Sequence, residues 1–296
     1  MLRLSVVVAA QDAGRHLQAC LAVLVPQVSS TGMEVIVADG SGSAGSGLTI
    51  EFPEVRFLNV SGHPTVPRLW SAGIEAARGS IVCLTIENCA PAPNWIASLL
   101  SAHEAKWPGI GGAIELDPNA GLVDTAVYFC RYSSYILPFS PRFLEDIPGD
   151  NCSYKREALE PVRDLMMDGF WETFIHQDMR RRGEQLLSDP SSVVVFTGGL
   201  SAWRFFKRRY VHGRYFAARR GRDFTLPQRL VRAVAFPAVF AMLFQRISGR
   251  VWRNARHRTR LAMTIPLVGC FLMAWAVGEA SGYLAGASAA AAPLRD

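Results

Sequence analysis

Met33–Gly42 reads MEVIVADGSG, and the class of fold follows from this run. Val35, Ile36 and Val37 are β-branched with no polar break, which suits a strand buried on both faces of a parallel sheet. Asp39, Gly40 and Ser41 follow at once, so a carboxylate and a tight turn stand at the strand's carboxyl end. In open α/β sheets that edge is where ligands bind. A carboxylate there accepts hydrogen bonds from a uracil ring or a ribose hydroxyl. The plainer use of the same residues is an Asp-Gly turn that only ends a strand.

The neighbouring segments repeat the arrangement. Leu4–Ala9 is an apolar strand ending at Ala10, Gln11 and Asp12, and Gly14–Val28 reads as a helix with Leu17, Cys20, Leu21 and Leu24 on one face. After the loop GSGSAGSG come a strand over Val55–Val60, a helix over Pro67–Arg78, a buried strand over Ile81–Ile86 and a helix over Ile96–His103. Strands alternating with helices at these intervals predict βαβ units and a mostly parallel sheet.

Composition divides the chain. Half of its 296 residues are hydrophobic and 19% are charged, an apolar balance that points to membrane contact. The net charge of +6 conceals an asymmetry, because residues 200–260 hold 16 Lys or Arg against the single acid Asp223. That segment carries +15 and the remainder −9, so the two parts do different jobs. The six cysteines form no CxxC pair; they predict reduced thiols in a cytosolic domain, Cys83 in the core, and no zinc site. The amino-terminal MLRLSVVVAAQD has too short an apolar run for a signal peptide and reads as the first strand.

Five stretches together resemble family-2 glycosyltransferases. They are LSVVVAAQDAGRHLQACLAVLVPQ, VADGS at 37–41, LWSAGIEAARGSIVCLTIENCAPAPNW, IPGDNCSYKREAL at 147–159 and WETFIHQDMRRRG at 171–183. The resemblance covers roughly residues 2–220 in the family's order and spacing. It implies a GT-A, Rossmann-like fold: a mostly parallel sheet flanked by helices, followed here by membrane-associated helices. It also implies a nucleotide-sugar donor, with Ala9, Gln11 and Asp39 contacting the nucleoside. Glu87 and Asn88 fall in the family's DxD region, whose carboxylates bind Mg2+ or Mn2+ bridging the two phosphates. Ile86 replaces the first acid and Asn88 the last, which leaves Glu87 as the charged ligand, aided by the Asn88 carbonyl. Trp70 stands where the family has an Arg; Arg68 lies two residues away and is either a phosphate ligand or a solvated charge. Asp150 and Asn151, in Gly-Asp-Asn, fall where the family closes on sugar and acceptor.

Glu172 aligns with the acid that acts as general base in the family, with Trp171 in place of its acidic neighbour. A first-turn Glu is also a favourable partner for the helix dipole; base activity needs its pKa raised by partial burial, for which Phe170 and Trp171 are at hand. His176, one turn on, reads as a helix-surface or packing residue. The basic run HGRYFAARRGR at 212–222 lies where relatives return over the donor, so His212 and Arg214 are candidates for the diphosphate. Meeting anionic lipid is the equal alternative for the same charges.

Residues 1–200 are thus expected to form the catalytic domain, 201–232 a basic juxtamembrane arm, and 233–287 a membrane-associated region. Within the last, 233–245 is too short for a comfortable span and reads as an interfacial or re-entrant helix. Leu261–Gly286, with Glu279 its single charge, is long enough to cross the bilayer, and Gly278, Gly282 and Gly286 favour close helix contact. Basic residues ahead of this span place the catalytic domain on the cytoplasmic side of the cytoplasmic membrane, with one or two spans left open. The function expected is inverting transfer of a sugar to an acceptor hydroxyl, on a lipid or membrane-linked molecule. Ile86, Asn88 and Trp70 leave a rival, the same fold as a binding or scaffold protein without catalysis. A dinucleotide oxidoreductase would need GxGxxG after the first strand, where the chain has AAQDAG, and no nucleic-acid-binding motif is present.

Overall fold

The computed structural model describes residues 2–12, 14–28, 32–42, 47–62 and 64–285. Residues 43–46 of the Gly/Ser loop, and Gly286, lie outside that set. The chain forms two compact units. The first comprises Met1–Asp117 with Tyr135–Thr197, and the second Pro118–Ser134 with everything from Gly198 onward.

The first unit is a mixed α/β domain around a nine-stranded sheet. In chain order it holds β1 (Leu2–Ala10), α1 (Arg15–Val28), β2 (Met33–Asp39), α2 (Leu48–Glu51), β3 (Arg56–Asn59), α3 (Val66–Ala76) and β4 (Gly79–Ile86). There follow β5 (Cys89–Pro91), α4 (Trp95–Ala102) and β6 (Gly109–Leu116). After α5 (Leu122–Tyr132), which belongs to the second unit, come β7 (Arg142–Leu144), β8 (Asn151–Lys155), α6 (Arg156–Leu159), a 3-10 segment (Glu160–Met166), α7 (Glu172–Arg181) and β9 (Leu186–Phe196).

Strand order is β3-β2-β1-β4-β8-β6-β9-β5, with β7 on β9. The half read from the sequence, β3 to β4, is entirely parallel. β8 then joins β4 antiparallel, so the sheet is mixed beyond that point. Val35, Ile36 and Val37 are buried, as are Val6, Val7, Val8, Val82, Cys83 and Leu84, which explains the unbroken apolar runs. The face of α1 toward the sheet is Leu17, Cys20, Leu21 and Leu24, the set its periodicity predicts.

The second unit is helical: α5, α8 (Ala202–Arg220), α9 (Leu226–Val234), α10 (Phe236–Arg253) and α11 (Arg258–Ala285). α8 and α11 run parallel in close contact. A Cβ on Gly213 would strike the Trp275 carbonyl, one on Gly278 the Tyr210 carbonyl, and one on Gly282 the Arg214 carbonyl. Small residues four apart therefore let two backbones touch, as the spacing of Gly278 and Gly282 predicts. Glu279 is not an isolated charge, since its carboxylate accepts from Trp275 Nε1 at 3.2 Å and Tyr283 Oη at 3.4 Å and pairs with Arg220 at 3.3 Å.

The apolar segment expected as one helix over 233–245 is divided. Ala233 and Val234 end α9, while α10 starts at Phe236 and runs on to Arg253, with a bend of 51° between them. Pro237 supplies the reason: in the first turn of a helix its missing N–H costs nothing, whereas inside one continuous helix it would break the ladder. Among the described residues one helix, Ala255–Ala285, is long and apolar enough to cross a membrane. The basic run at 212–222 is largely the second half of α8.

Candidate functional site at the sheet rim

The parallel strands bring their carboxyl ends to one edge. Ala10 stands opposite Asp39 in the β1–β2 register, and Ala9 opposite Ile86 in the β1–β4 register. Thr85 stands opposite Asn151 across the antiparallel β4–β8 pair. Asp39 ends β2, Glu87 follows β4 and Asp150 precedes β8 along a single rim. β2 and β4 are each next to β1, so their ends are about 10 Å apart.

Each carboxylate is held differently. Asp39 is 1% exposed; its Oδ1 accepts from the Ser41 amide at 2.8 Å, while its Oδ2 is buried with no partner. A buried acceptor left without a donor is costly unless a ligand supplies one. Gly40 donates to the Ala10 carbonyl at 2.8 Å, which locks the turn against β1. The close approach of Pro64 to Gly40 leaves room only for a glycine. Glu87 donates its own N–H to the Ala9 carbonyl at 3.1 Å and accepts from the Asp12 amide through Oε2 at 2.9 Å. Both ends of β1 and β4 are tied across that pair.

Glu172 opens α7, and its Oε1 would lie 2.9 Å from a Cβ placed on Gly149. The same Cβ would lie 2.7 Å from Cη2 of Trp70. Trp70, Gly149 and Glu172 therefore meet at one point. Trp70 is 2% exposed and donates through Nε1 to the Thr85 carbonyl at 2.9 Å, so it forms a fixed wall at that point. Asp150, 3% exposed, is the next residue. The thiols beneath this surface are inert: burial first, and then the Glu87 charge, push Cys20 up to about 12, and burial drives Cys152 well above the usual range.

Other expected residues lie elsewhere. Asn151 is wholly buried; its Nδ2 donates to Ala113 O at 2.8 Å and Ser192 O at 3.0 Å, and its Oδ1 accepts from Trp95 Nε1 at 2.8 Å. It closes the register shift between Gly112 and Ala113, where β6 and β9 part, and so knits the sheet instead of facing a donor. Ala9 is buried in β1 and its carbonyl is spent on Glu87. Gln11 reaches the Pro64 carbonyl through Nε2 at 3.1 Å. The main-chain carbonyl of Asn88 accepts from Thr197 N at 2.9 Å. Arg68 is exposed and lines a separate cavity of about 530 Å³ with Ser71, Glu75, Arg163 and Met166. His212 and Arg214 sit on α8 in the second unit.

Among the described residues no group of three or more His, Cys, Asp or Glu is placed to hold a metal ion. Mg2+ and Mn2+ need less than that when a diphosphate is present, because one carboxylate with phosphate and water oxygens fills their coordination. Glu87 at the rim fits such a minimal role; a metal bound by protein alone does not fit. What sequence reasoning missed is Trp70 as a wall, and the partners of the buried His176, which are the buried Tyr154 and the half-exposed Asp146. The aromatic residues carry no catalytic pattern, and only their contacts in the fold give them a place.

No protein-family model matches the chain, and no curated protein matches it. Solved structures do. The mannosyltransferase PcManGT from Pyrobaculum calidifontis, in complex with GDP-Man and Mn2+, superposes with a TM-score of 0.50 at 17% identity, over 99% of this chain and 76% of that one. A crystal structure described as a mycobacterial protein superposes with a TM-score of 0.50 at 16% identity, covering 72% of this chain and 73% of that one. At such identity the likeness is one of fold: an α/β sheet flanked by helices, shared with a glycosyltransferase.

Proposed function

We propose that the chain is a membrane-attached glycosyltransferase of the family-2, GT-A type. It moves a sugar from a nucleotide donor to an acceptor hydroxyl with inversion at the anomeric carbon. Asp39 takes the nucleoside on its unpartnered Oδ2. Glu87, with Asn88 beside it, faces the diphosphate, and a divalent ion shared with the phosphates would neutralise the leaving charge there. Glu172 takes the proton from the acceptor hydroxyl, whose oxygen forms the new bond as the bond to the diphosphate breaks. Asp150 orients sugar or acceptor.

The observation that carries this reading is the gathering of Asp39, Glu87, Asp150 and Glu172 at one sheet rim, although up to 133 residues of chain separate them. A general base must stand across the anomeric carbon from the leaving group, and a rim of this width accommodates that.

The second unit attaches the enzyme to the cytoplasmic face of the cytoplasmic membrane. Support comes from α11 and from α9, where Leu226, Leu230, Val231 and Val234 are all exposed beside Arg229 and Arg232. An apolar face edged with Arg suits an anionic leaflet, and the acceptor belongs to the same membrane.

The experiment is a thermal-shift and turnover series with nucleotide sugars, with and without Mn2+, on wild type, Glu87→Ala and Glu172→Gln. A donor-specific rise in Tm with turnover lost in Glu172→Gln is the expected result. A rise in Tm without turnover in any of the three would make the chain a donor-binding protein and end the transferase reading.

A further inference from the structure

Beneath Glu172 a polar chain runs from the core to the half-exposed Asp146, and the reaction as written does not use it. His176, one turn further along α7, is 0% exposed. Its Nε2 meets Tyr154 Oη at 2.7 Å and its Nδ1 meets Asp146 Oδ1 at 3.0 Å. A carboxylate only accepts, so Nδ1 carries the proton, and Nε2 accepts from the tyrosine hydroxyl. Both ring nitrogens are satisfied, and burial holds the imidazole pKa below its ordinary value against the pull of Asp146. Two further bonds fix the same loop: Tyr135 Oη donates to the Asp146 carbonyl at 3.2 Å, and Arg180 of α7 donates to the Glu145 carbonyl.

These contacts close a ring. Asp146 leads through Ile147 and Pro148 to Gly149, which abuts Trp70 and Glu172. Trp70 packs edge-on against Phe170 at 6.4 Å, and Phe170 against Tyr154 at 5.5 Å. Tyr154 returns to His176 and so to Asp146. A core position on α7 could be filled by an aliphatic residue at no desolvation cost; an imidazole with two directed bonds fixes distance and angle, which an aliphatic contact leaves loose.

We propose that Asp146 and His176 are positioning residues that set the separation between the Asp150 turn and Glu172. The proposal rests on the reading of those two acids as catalytic. This contact ties the loop to the buried face of α7, while Arg180 grips the same loop from the exposed side of the helix, so the spacing of the two carboxyl groups depends on it.

The test compares Asp146→Ala with Asp146→Asn. Asparagine keeps an oxygen that accepts from Nδ1–H; alanine removes it. Amide hydrogen exchange on the full chain should quicken in Asp146→Ala over residues 148–152 and also over 171–175, and stay near wild type in Asp146→Asn. The turnover number should fall about 10- to 100-fold in Asp146→Ala with donor KM within twofold, and be largely restored in Asp146→Asn. A drop in Tm with unaltered exchange at 171–175 and unaltered kcat would overturn the proposal, leaving only a stabilising role. If wild type transfers no sugar, the exchange pattern still decides whether the clamp exists, so the failure of the reaction and the failure of the clamp read out separately.

Discussion

Gly149→Ala is the smallest change that reaches the centre of the site. The added Cβ would stand 2.7 and 2.8 Å from Cη2 and Cζ3 of Trp70 and 2.9 Å from Glu172 Oε1. Ordinary contacts of this kind are about 3.5–4.0 Å, so roughly 1 Å of overlap must be relieved. Trp70 cannot give way, being held by the Thr85 carbonyl and packed edge-on against Phe170. The Glu172 carboxylate ends a flexible side chain at the start of a helix, so it moves. Overpacking of this size costs about 1–3 kcal/mol of stability. On the proposed role of Glu172 as base, a displacement of about 1 Å costs on the order of 100-fold in turnover. Transfer of labelled sugar at saturating donor, alongside thermal unfolding, gives both numbers. KM for the donor should hold, since Asp39 and Glu87 are not touched. In a Trp70→Phe background the six-membered ring of the indole is gone, and the same alanine should cost at least several-fold less. Wild-type kcat and Tm in Gly149→Ala would refute the convergence of Trp70, Gly149 and Glu172.

Two further expectations concern stability and attachment. His103 is buried against Ser153, with Nε2 to Oγ at 2.7 Å, and burial, with Lys155 nearby, lowers its pKa to about 4. Its folded pKa lies below the unfolded value, so the unfolded state binds the extra proton first and stability falls as pH drops from about 6.5 toward 4. From pH 8 to pH 5 this one group should remove about 2 kcal/mol, read from urea midpoints, and His103→Leu should flatten that part of the profile. For attachment, Val231→Asp with Val234→Asp should lower binding to vesicles containing phosphatidylserine at least tenfold, since two exposed valines of α9 are lost to the bilayer. Sedimentation of vesicles at low and high salt checks it, and unchanged binding would exclude α9 as a contact.

The sequence by itself determined the parallel half of the sheet and the rim. A β-branched run such as Val35–Val37 has few uses other than a strand covered on both faces, and the residue after it is fixed at the ligand-binding edge by chain connectivity. Asp39 and Glu87 were legible for that reason, as local signals. The glycine spacing that joins α8 to α11 was legible too, because backbone contact between helices demands absent side chains. Only the tertiary structure decided the rest. Asn151 and Asp150 are neighbours in sequence, yet strand alternation sends one amide into the sheet to close the β6–β9 register shift and leaves the other acid beside Gly149. Trp70 as a wall, and His176 as a buried link to Asp146, depend on partners 15 to 102 residues distant, whose directions no periodicity encodes. Local pattern specifies which residues stand at a strand's end; which groups meet there is set by packing across the whole sheet.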